Sequence, residues 1–192
     1  VLRLLRGPLG LLLGISVVGA FAQRVYLTME PIVVAQAGGS EAIGAVSLSI
    51  YLGSQALGTL TGGFLSDRMH RNHLLAGLTL LAFPAHFLAV ALPPGRLPAF
   101  AMAGAAGFLG MAMMPGILVK AQELLPEGAA VSSGIVMGLG WAVGSLGVLA
   151  TGALGDWLGP REAAMVSMPA LLIGTLLALH PSLREGPHRT RR

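Results

Sequence analysis

The chain has 192 residues, of which 54% are apolar and only 10% are charged, and it contains no cysteine. Soluble domains have about 25% charged residues, so this composition excludes a soluble globular domain and a disordered segment. The absence of cysteine excludes a disulfide scaffold. The formal net charge of +4 is compatible with nucleic-acid binding, and the positions of the charges must decide its meaning.

The charged residues leave five long gaps along the chain. The gaps are residues 42–66, 72–95, 97–119, 128–155 and 163–183, with lengths of 25, 24, 23, 28 and 21 residues. A helix needs about 20 apolar residues to cross a bilayer, so each gap predicts a membrane span. An additional first helix is predicted that contains Arg24. The six predicted helices are Leu9–Ala35, Ile43–Leu65, Leu74–Leu92, Leu97–Val119, Ala129–Gly155 and Ala163–His180.

Lipid excludes open sheets, so the predicted fold is an all-α membrane protein with one six-helix domain over residues 1–183. Lysine and arginine are divided unequally between its two sides. Arg96 and Arg161 lie on one side, and nine others lie on the side of the termini: Arg3, Arg6, Arg68, Arg71, Lys120, Arg184, Arg189, Arg191 and Arg192. The positive-inside rule then predicts that both termini are cytoplasmic. The basic tail, residues 184–192, is expected to touch anionic lipid rather than nucleic acid.

A pattern of glycine, leucine and aspartate, G-x-L-x-x-G-x-L-x-D, occurs twice at an offset of 89 residues. The copies are residues 58–67 at the end of helix 2 and residues 147–156 at the end of helix 5. They predict two related three-helix units, residues 8–92 and 97–180. Because three helices separate the copies, the units have inverted topology, as in many secondary transporters. The alternative is chance matching of the abundant glycines and leucines. The two matched aspartates argue against chance, because aspartate is rare in this chain.

The segment between helices 2 and 3, residues 62–71, reads G-G-F-L-S-D-R-M-H-R. It resembles the G-x-L-(A/S)-D-R-x-G-R-(R/K) signature of the major facilitator superfamily, except that His70 replaces the usual glycine. The resemblance implies a cytoplasmic gate that involves Gly63, Asp67, Arg68 and Arg71. The alternative is an ordinary positively charged loop.

Residues 122–159 resemble the tenth and eleventh helices of bacterial drug-efflux members of this superfamily, especially the fosmidomycin-resistance group. The shared residues are Gln122, Pro126, Ser133, Gly134, Gly138, Leu139, Gly147, Gly152, Asp156 and Gly159. The resemblance implies that the chain is the C-terminal six-helix half of a transporter. It also implies proton-coupled efflux of a small organic solute by alternating access.

Family members have two such halves, so we expect a missing N-terminal half, and the first residue, Val1, fits a piece of a longer protein. One alternative is a half-size transporter that pairs with a second copy. Another is a membrane scaffold or assembly subunit that transports nothing. Eleven arginines against one lysine are typical of a GC-rich bacterial genome, which predicts the bacterial inner membrane.

Polar residues inside the predicted helices are candidates for the solute cavity or for proton coupling: Gln23, Arg24, Tyr26, Glu30 and His86. A charge inside the membrane is costly, so Arg24 should face a cavity or a partner. It could bind an anionic group of the solute, or instead reach toward the interface. Glu30 with Pro31 is expected to mark a kink or, preferably, the end of helix 1. His86 is more often a packing residue than a proton relay.

Small residues along helix 5 predict close helix packing, with Asp156 at the helix end: Gly134, Gly138, Gly144, Gly147 and Gly152. Met111, Met113 and Met114 could form an adaptable cavity wall or simply fill gaps. The sequence has no phosphate-binding loop, no cluster with metal-ligand spacing and no catalytic triad. We therefore expect that the protein is not an enzyme and binds no cofactor or metal.

The expected partners are a small solute, a proton gradient and the bilayer.

Overall fold

The computed structural model describes residues 5–184, and this range contains helices and no strand. The predicted all-α fold with six possible membrane spans is confirmed. The six long helices are α1 (Pro8–Gln36), α2 (Glu41–Arg68), α3 (Arg71–Ala91), α4 (Leu97–Leu124), α5 (Pro126–Leu158) and α6 (Pro160–Leu179). A short helix, α7 (Pro181–Arg184), follows. Arg3 and the predicted tail beyond Arg184 lie outside the described residues.

Several helices extend past their predicted ends. Helix α4, for example, continues from Val119 to Leu124. Hydropathy marks only the apolar stretch, whereas the backbone keeps its hydrogen bonds until a residue breaks the pattern. Here the breaker is Pro126, and after α1 it is Gly38, whose φ of 74° favours glycine.

Pro31 lies inside α1, which continues to Gln36. The prediction that Glu30 and Pro31 mark the helix end is therefore wrong. A proline removes one backbone hydrogen bond, which neighbouring helices can compensate in a membrane protein. Pro84 in α3 and Pro115 in α4 are also accommodated within their helices.

The pairing of the helices follows a two-fold pattern. Helix α2 packs mainly on α4, and α5 packs mainly on α1; α3 contacts α4 and α6, and α6 contacts α1 and α3. Exchanging α1 with α4, α2 with α5 and α3 with α6 leaves this set of contacts unchanged. The helix pairs therefore have the arrangement expected of two related three-helix units.

Residues matched by the 89-residue offset occupy equivalent places. A Cβ added at Gly58 would lie 2.2 Å from the backbone oxygen of Phe108 on α4, and one at Gly147 would lie 2.5 Å from the ring of Phe21 on α1. Each glycine thus lets its helix approach the first helix of the other unit. Two residues further on, Leu60 and Leu149 are 74% and 73% exposed. The repeated pattern therefore encodes one contact face and one outward face.

Helix α5 is irregular in its first half. A 3-10 turn (Pro126–Gly128) and a short α-helix (Ala129–Ser133) lead into a π-helical segment (Gly134–Leu139), after which the regular helix Gly140–Leu158 begins. A π-helix is wound more widely than an α-helix and is frequent at functional sites. The Ser16 hydroxyl of α1 donates a 2.5 Å hydrogen bond to the backbone oxygen of Val136 in this segment. The bond ties the irregular part of α5 to α1.

Candidate functional site

The residues of the predicted gate lie at one end of the bundle. Helix α2 continues through Arg68, so Gly63 and Asp67 belong to its last turns rather than to a loop. The side chains of Asp67 and Arg68 are exposed, and the Arg68 guanidinium lies 3.6 Å from the centre of the Phe64 ring. Asp67 forms no ion pair with any residue in the described range. This carboxylate is therefore accessible from outside the six-helix bundle.

Arg71 points back into the bundle. Its Nη1 lies 2.5 Å from Oε1 of Glu123 at the end of α4, and its Nε donates to Ser66 Oγ at 3.3 Å. Nearby, Lys120 Nζ donates to Asn72 Oδ1 and, at 2.7 Å, to the backbone oxygen of Leu183. Sequence reasoning missed the contacts with Glu123, Asn72 and Leu183, because they join residues 52, 48 and 63 positions apart and such separations leave no local pattern.

Tyr26 and Glu30 are buried on the inner side of α1. The Tyr26 and Ser47 hydroxyls are 2.7 Å apart, and Ser47 donates to Glu30 Oε1 at 2.9 Å. The Tyr26 ring stacks on Tyr51 with a centroid distance of 4.5 Å. Tyr26 is therefore buried against α2, away from the exposed Arg24, and its role at a solute cavity stays a prediction.

His86 continues the same polar cluster on α3. Its Nε2 lies 3.1 Å from the Tyr51 hydroxyl, and its Nδ1 lies 2.8 Å from the backbone oxygen of Ala82. Both ring nitrogens therefore have partners. Tyr51 and Ser47 were not singled out from the sequence, although a polar residue at every fourth position of α2 is the pattern that could have identified them.

Gln23 and Arg24 lie on another side of α1. The exposed Arg24 guanidinium is 5.6 Å from the centre of the Trp141 ring on α5, within the range of a cation–π contact. Gln23 and Trp141 line a narrow cleft together with Gln55 of α2. Glu30, in contrast, is buried beside α2. Arg24 and Glu30 are thus on different faces of α1, as their six-residue separation predicts.

The glycines of α5 fall into two groups. Gly140, Gly144 and Gly147 contact α1; a Cβ at Gly144, for example, would lie 2.6 Å from the Val17 backbone oxygen. The second group, with no atom of a neighbouring helix within 4 Å of an added Cβ, consists of Gly134, Gly138 and Gly152. Asp156 is exposed at the helix end. The packing ridge in the described bundle is therefore shorter than predicted.

Within residues 5–184, no three histidine, aspartate or glutamate side chains come close enough together to hold a metal ion. His70 and His73 stack with their ring centroids 4.8 Å apart, without a third candidate ligand beside them.

No protein-family model matches the chain. The chain is 34% identical over 140 residues to an uncharacterized MFS-type transporter of Bacillus subtilis (strain 168), YfnC. The match covers 71% of the present chain but only 34% of that relative's length. Six helices able to cross a membrane are consistent with similarity to a membrane transporter. The fold and the sequence similarity together support membership of the major facilitator superfamily.

Proposed function

We propose that this chain forms the C-terminal six-helix half of a secondary transporter for a small organic solute. The observation that carries the proposal is the similarity to a protein described as an MFS-type transporter. The two-fold pattern of helix contacts adds support, because inverted repeats are frequent in secondary transporters. The solute site would form between this half and an N-terminal half, or between two copies of the chain, and would open alternately to the two sides.

The proposed transport is proton-coupled efflux across the bacterial inner membrane, with both termini in the cytoplasm. Glu30 is a candidate for the proton-carrying group, because it is a carboxyl group inside a membrane-spanning helix with a hydroxyl donor beside it. Buried ionisable residues at membrane depth commonly mark proton or solute pathways. Gln23 and Arg24 would contact the solute from α1, and His86 would order the polar cluster around Glu30.

We further propose that the cytoplasmic end of α2 is a gate. Asp67 and Arg68 are exposed and available to the other half of the transporter, whereas Arg71 is held by Glu123 within this half. Gly63 in the same helix leaves room for close approach. Contacts of Asp67 with a helix end of the other half would stabilise the state that is closed to the cytoplasm.

The gate is tested by Asp67→Asn in gradient-driven transport by the complete two-half transporter, with a panel of organic solutes. We expect the transport rate to fall about tenfold or more, which corresponds to a free-energy change of about 1.4 kcal/mol. The amount of protein in the membrane should stay unchanged. The matched control is Glu127→Gln, which removes another exposed carboxylate, in the first turn of α5. Equal transport by the wild type and Asp67→Asn would exclude the gate. Absence of gradient-driven transport for every solute would favour the scaffold role.

A further inference from the structure

Two buried N–H donors in one cleft have no partner. The cleft lies between α1, α2, α4 and α5, and its lining includes Gln55 and Trp141. Within the described residues, Gln55 Nε2 and Trp141 Nε1 are inaccessible to solvent and make no hydrogen bond. Burying such a donor without an acceptor is unfavourable, and in native proteins unpaired buried groups are uncommon. A ligand with acceptor oxygens in the cleft would give these donors partners.

Arg24 does not line the cleft, but it places a positive charge beside the lining residue Trp141. The Arg24 guanidinium lies over the Trp141 ring, at 5.6 Å from its centre, and forms no ion pair with a residue of the described range. The cleft lining contains no aspartate or glutamate, and Glu30 is instead bonded to Ser47. A cation with unpaired neutral donors and no carboxylate is complementary to an anionic group. It is a poor environment for a cationic one, which would add a second positive charge.

Apart from Ser16, Gln23 and Tyr51, the remaining lining is apolar and adaptable. It includes Met111, Met113 and Met114 of α4, and small residues of α1 such as Gly19 and Ala20. The enclosed space is about 10 Å³, close to the volume that one water-sized probe occupies. The cleft therefore accommodates one acceptor oxygen, while the flexible methionines can move aside for an apolar group attached to it.

We propose that this cleft binds the acidic group of an organic anion that has an apolar body. Trp141 and Gln55 donate to its oxygens, Arg24 provides the opposing charge, and the methionines contact the apolar part. The proposal deepens the proposed transport function by naming its class of solute. Binding to the cleft does not require transport, so the anion-site proposal and the transport proposal can fail separately.

The chain contains two tryptophans, which allows direct measurement at the site. Trp157 at the end of α5 is 89% exposed, so Trp157→Phe leaves Trp141 as the single fluorescent reporter without disturbing packing. The full chain is reconstituted in phosphatidylcholine nanodiscs and titrated with three probes that share a cyclohexyl body and differ in their polar group. These are cyclohexanecarboxylate, cyclohexanecarboxamide and cyclohexylmethylammonium, which absorb negligibly where tryptophan is excited.

We expect a saturable change of Trp141 emission with cyclohexanecarboxylate. The neutral amide should bind about tenfold or more weakly, because hydrogen bonds to charged groups are roughly twice as strong as neutral ones. The cation should give no saturable change. Equal binding of carboxylate and amide, preference for the cation, or no saturable change with any probe would each refute the proposal.

Substitutions in the Trp157→Phe background test whether the carboxylate binds in the cleft. Gln55→Leu and Arg24→Gln should each weaken carboxylate binding about tenfold. The matched controls, Gln36→Leu and Arg96→Gln, change exposed residues outside the cleft and should bind as the parent does. Helical circular dichroism and a single elution peak verify folding. Unchanged binding in folded Gln55→Leu and Arg24→Gln proteins would place the anion elsewhere and overturn the proposal.

A lipid headgroup could supply the same acidic oxygen chemistry. Nanodiscs that contain phosphatidylglycerol separate the two sources. If the lipid alone changes Trp141 emission and prevents carboxylate binding, the cleft is a lipid site and the solute proposal is wrong. If carboxylate binding persists at the same affinity, the solute assignment stands. Carboxylate binding by this chain, with no gradient-driven transport by the complete two-half transporter, would refute the proposed transport function and leave this site intact.

Discussion

Gly62 of α2 provides the sharpest stability test, because it faces the backbone of α4. A Cβ added at Gly62 would lie 2.0 Å from the backbone oxygen of Ala112 and 2.6 Å from its carbonyl carbon. Real Cβ atoms do not approach other heavy atoms closer than 3.0 Å, so α2 and α4 would have to separate locally by about 1 Å. Neither partner is a flexible side chain that could rotate away.

The magnitude follows from the two opposing effects of Gly62→Ala. Overpacking of a close-packed interior costs about 1–3 kcal/mol, and a gap of 0.5–1 Å forfeits about a quarter to a half of the dispersion energy of the atoms beside it. Alanine favours the helix over glycine by about 1 kcal/mol. The matched control is Gly53→Ala in the same helix, where an added Cβ would have no neighbour within 4 Å. Only the favourable effect remains there.

We therefore expect the free energy of unfolding of Gly62→Ala to be lower than that of Gly53→Ala by about 1–3 kcal/mol. Unfolding is followed by circular dichroism while the purified chain in mild-detergent micelles is titrated with a denaturing detergent. The difference in midpoint reports the cost of separating α2 from α4. Coincident transitions of the two variants would refute the close approach of these helices and the argument built on it.

Two further predictions concern polar contacts. Ser47→Ala removes the hydroxyl that donates to Glu30 and should destabilise the chain by about 1–2 kcal/mol in the same titration. The control Ser49→Ala changes an exposed position and should leave the stability unchanged. Equal unfolding midpoints of the two variants would count against the buried cluster. Arg161 donates to the backbone oxygens of Val90 and Ala91 at the end of α3. Arg161→Gln should therefore lower the unfolding free energy by about 0.5–2 kcal/mol. The control is Arg96→Gln at an exposed position, and an equal loss of stability in both variants would contradict this capping role.

The site was less predictable than the fold, and Arg24 illustrates the reason. Its position within an apolar stretch identifies a charge at membrane depth, and its distance from Glu30 along the helix predicts separate faces. Its neighbour Trp141, however, is 117 positions away along the chain, and the π-helical segment just before it alters the local helix register. No local pattern encodes such a contact, which forms only when α1 and α5 pack together.

Glu30 makes the same point from inside the bundle. The sequence identifies it as an acid beside a proline and thereby suggests a helix end. In the folded chain α1 continues past Pro31, and Ser47 of α2 provides the donor that makes burial of Glu30 tolerable. A proline ends most helices in water because the lost hydrogen bond is unfavourable. Among packed membrane helices this cost can be compensated, so a proline in the sequence does not by itself determine where the helix ends.

Composition and charge spacing determined the architecture of this protein: a chain with 10% charged residues and long charge-free stretches can satisfy its backbone in lipid only as a bundle of helices. The 89-residue repeat likewise indicated two related units, because glycine and leucine positions record which helix faces approach a neighbour. Tertiary structure alone decided which polar groups meet. It joined Glu30 to Ser47, placed Arg24 over Trp141 and left Asp67 exposed, because these relations depend on the packing of helices that are distant in sequence.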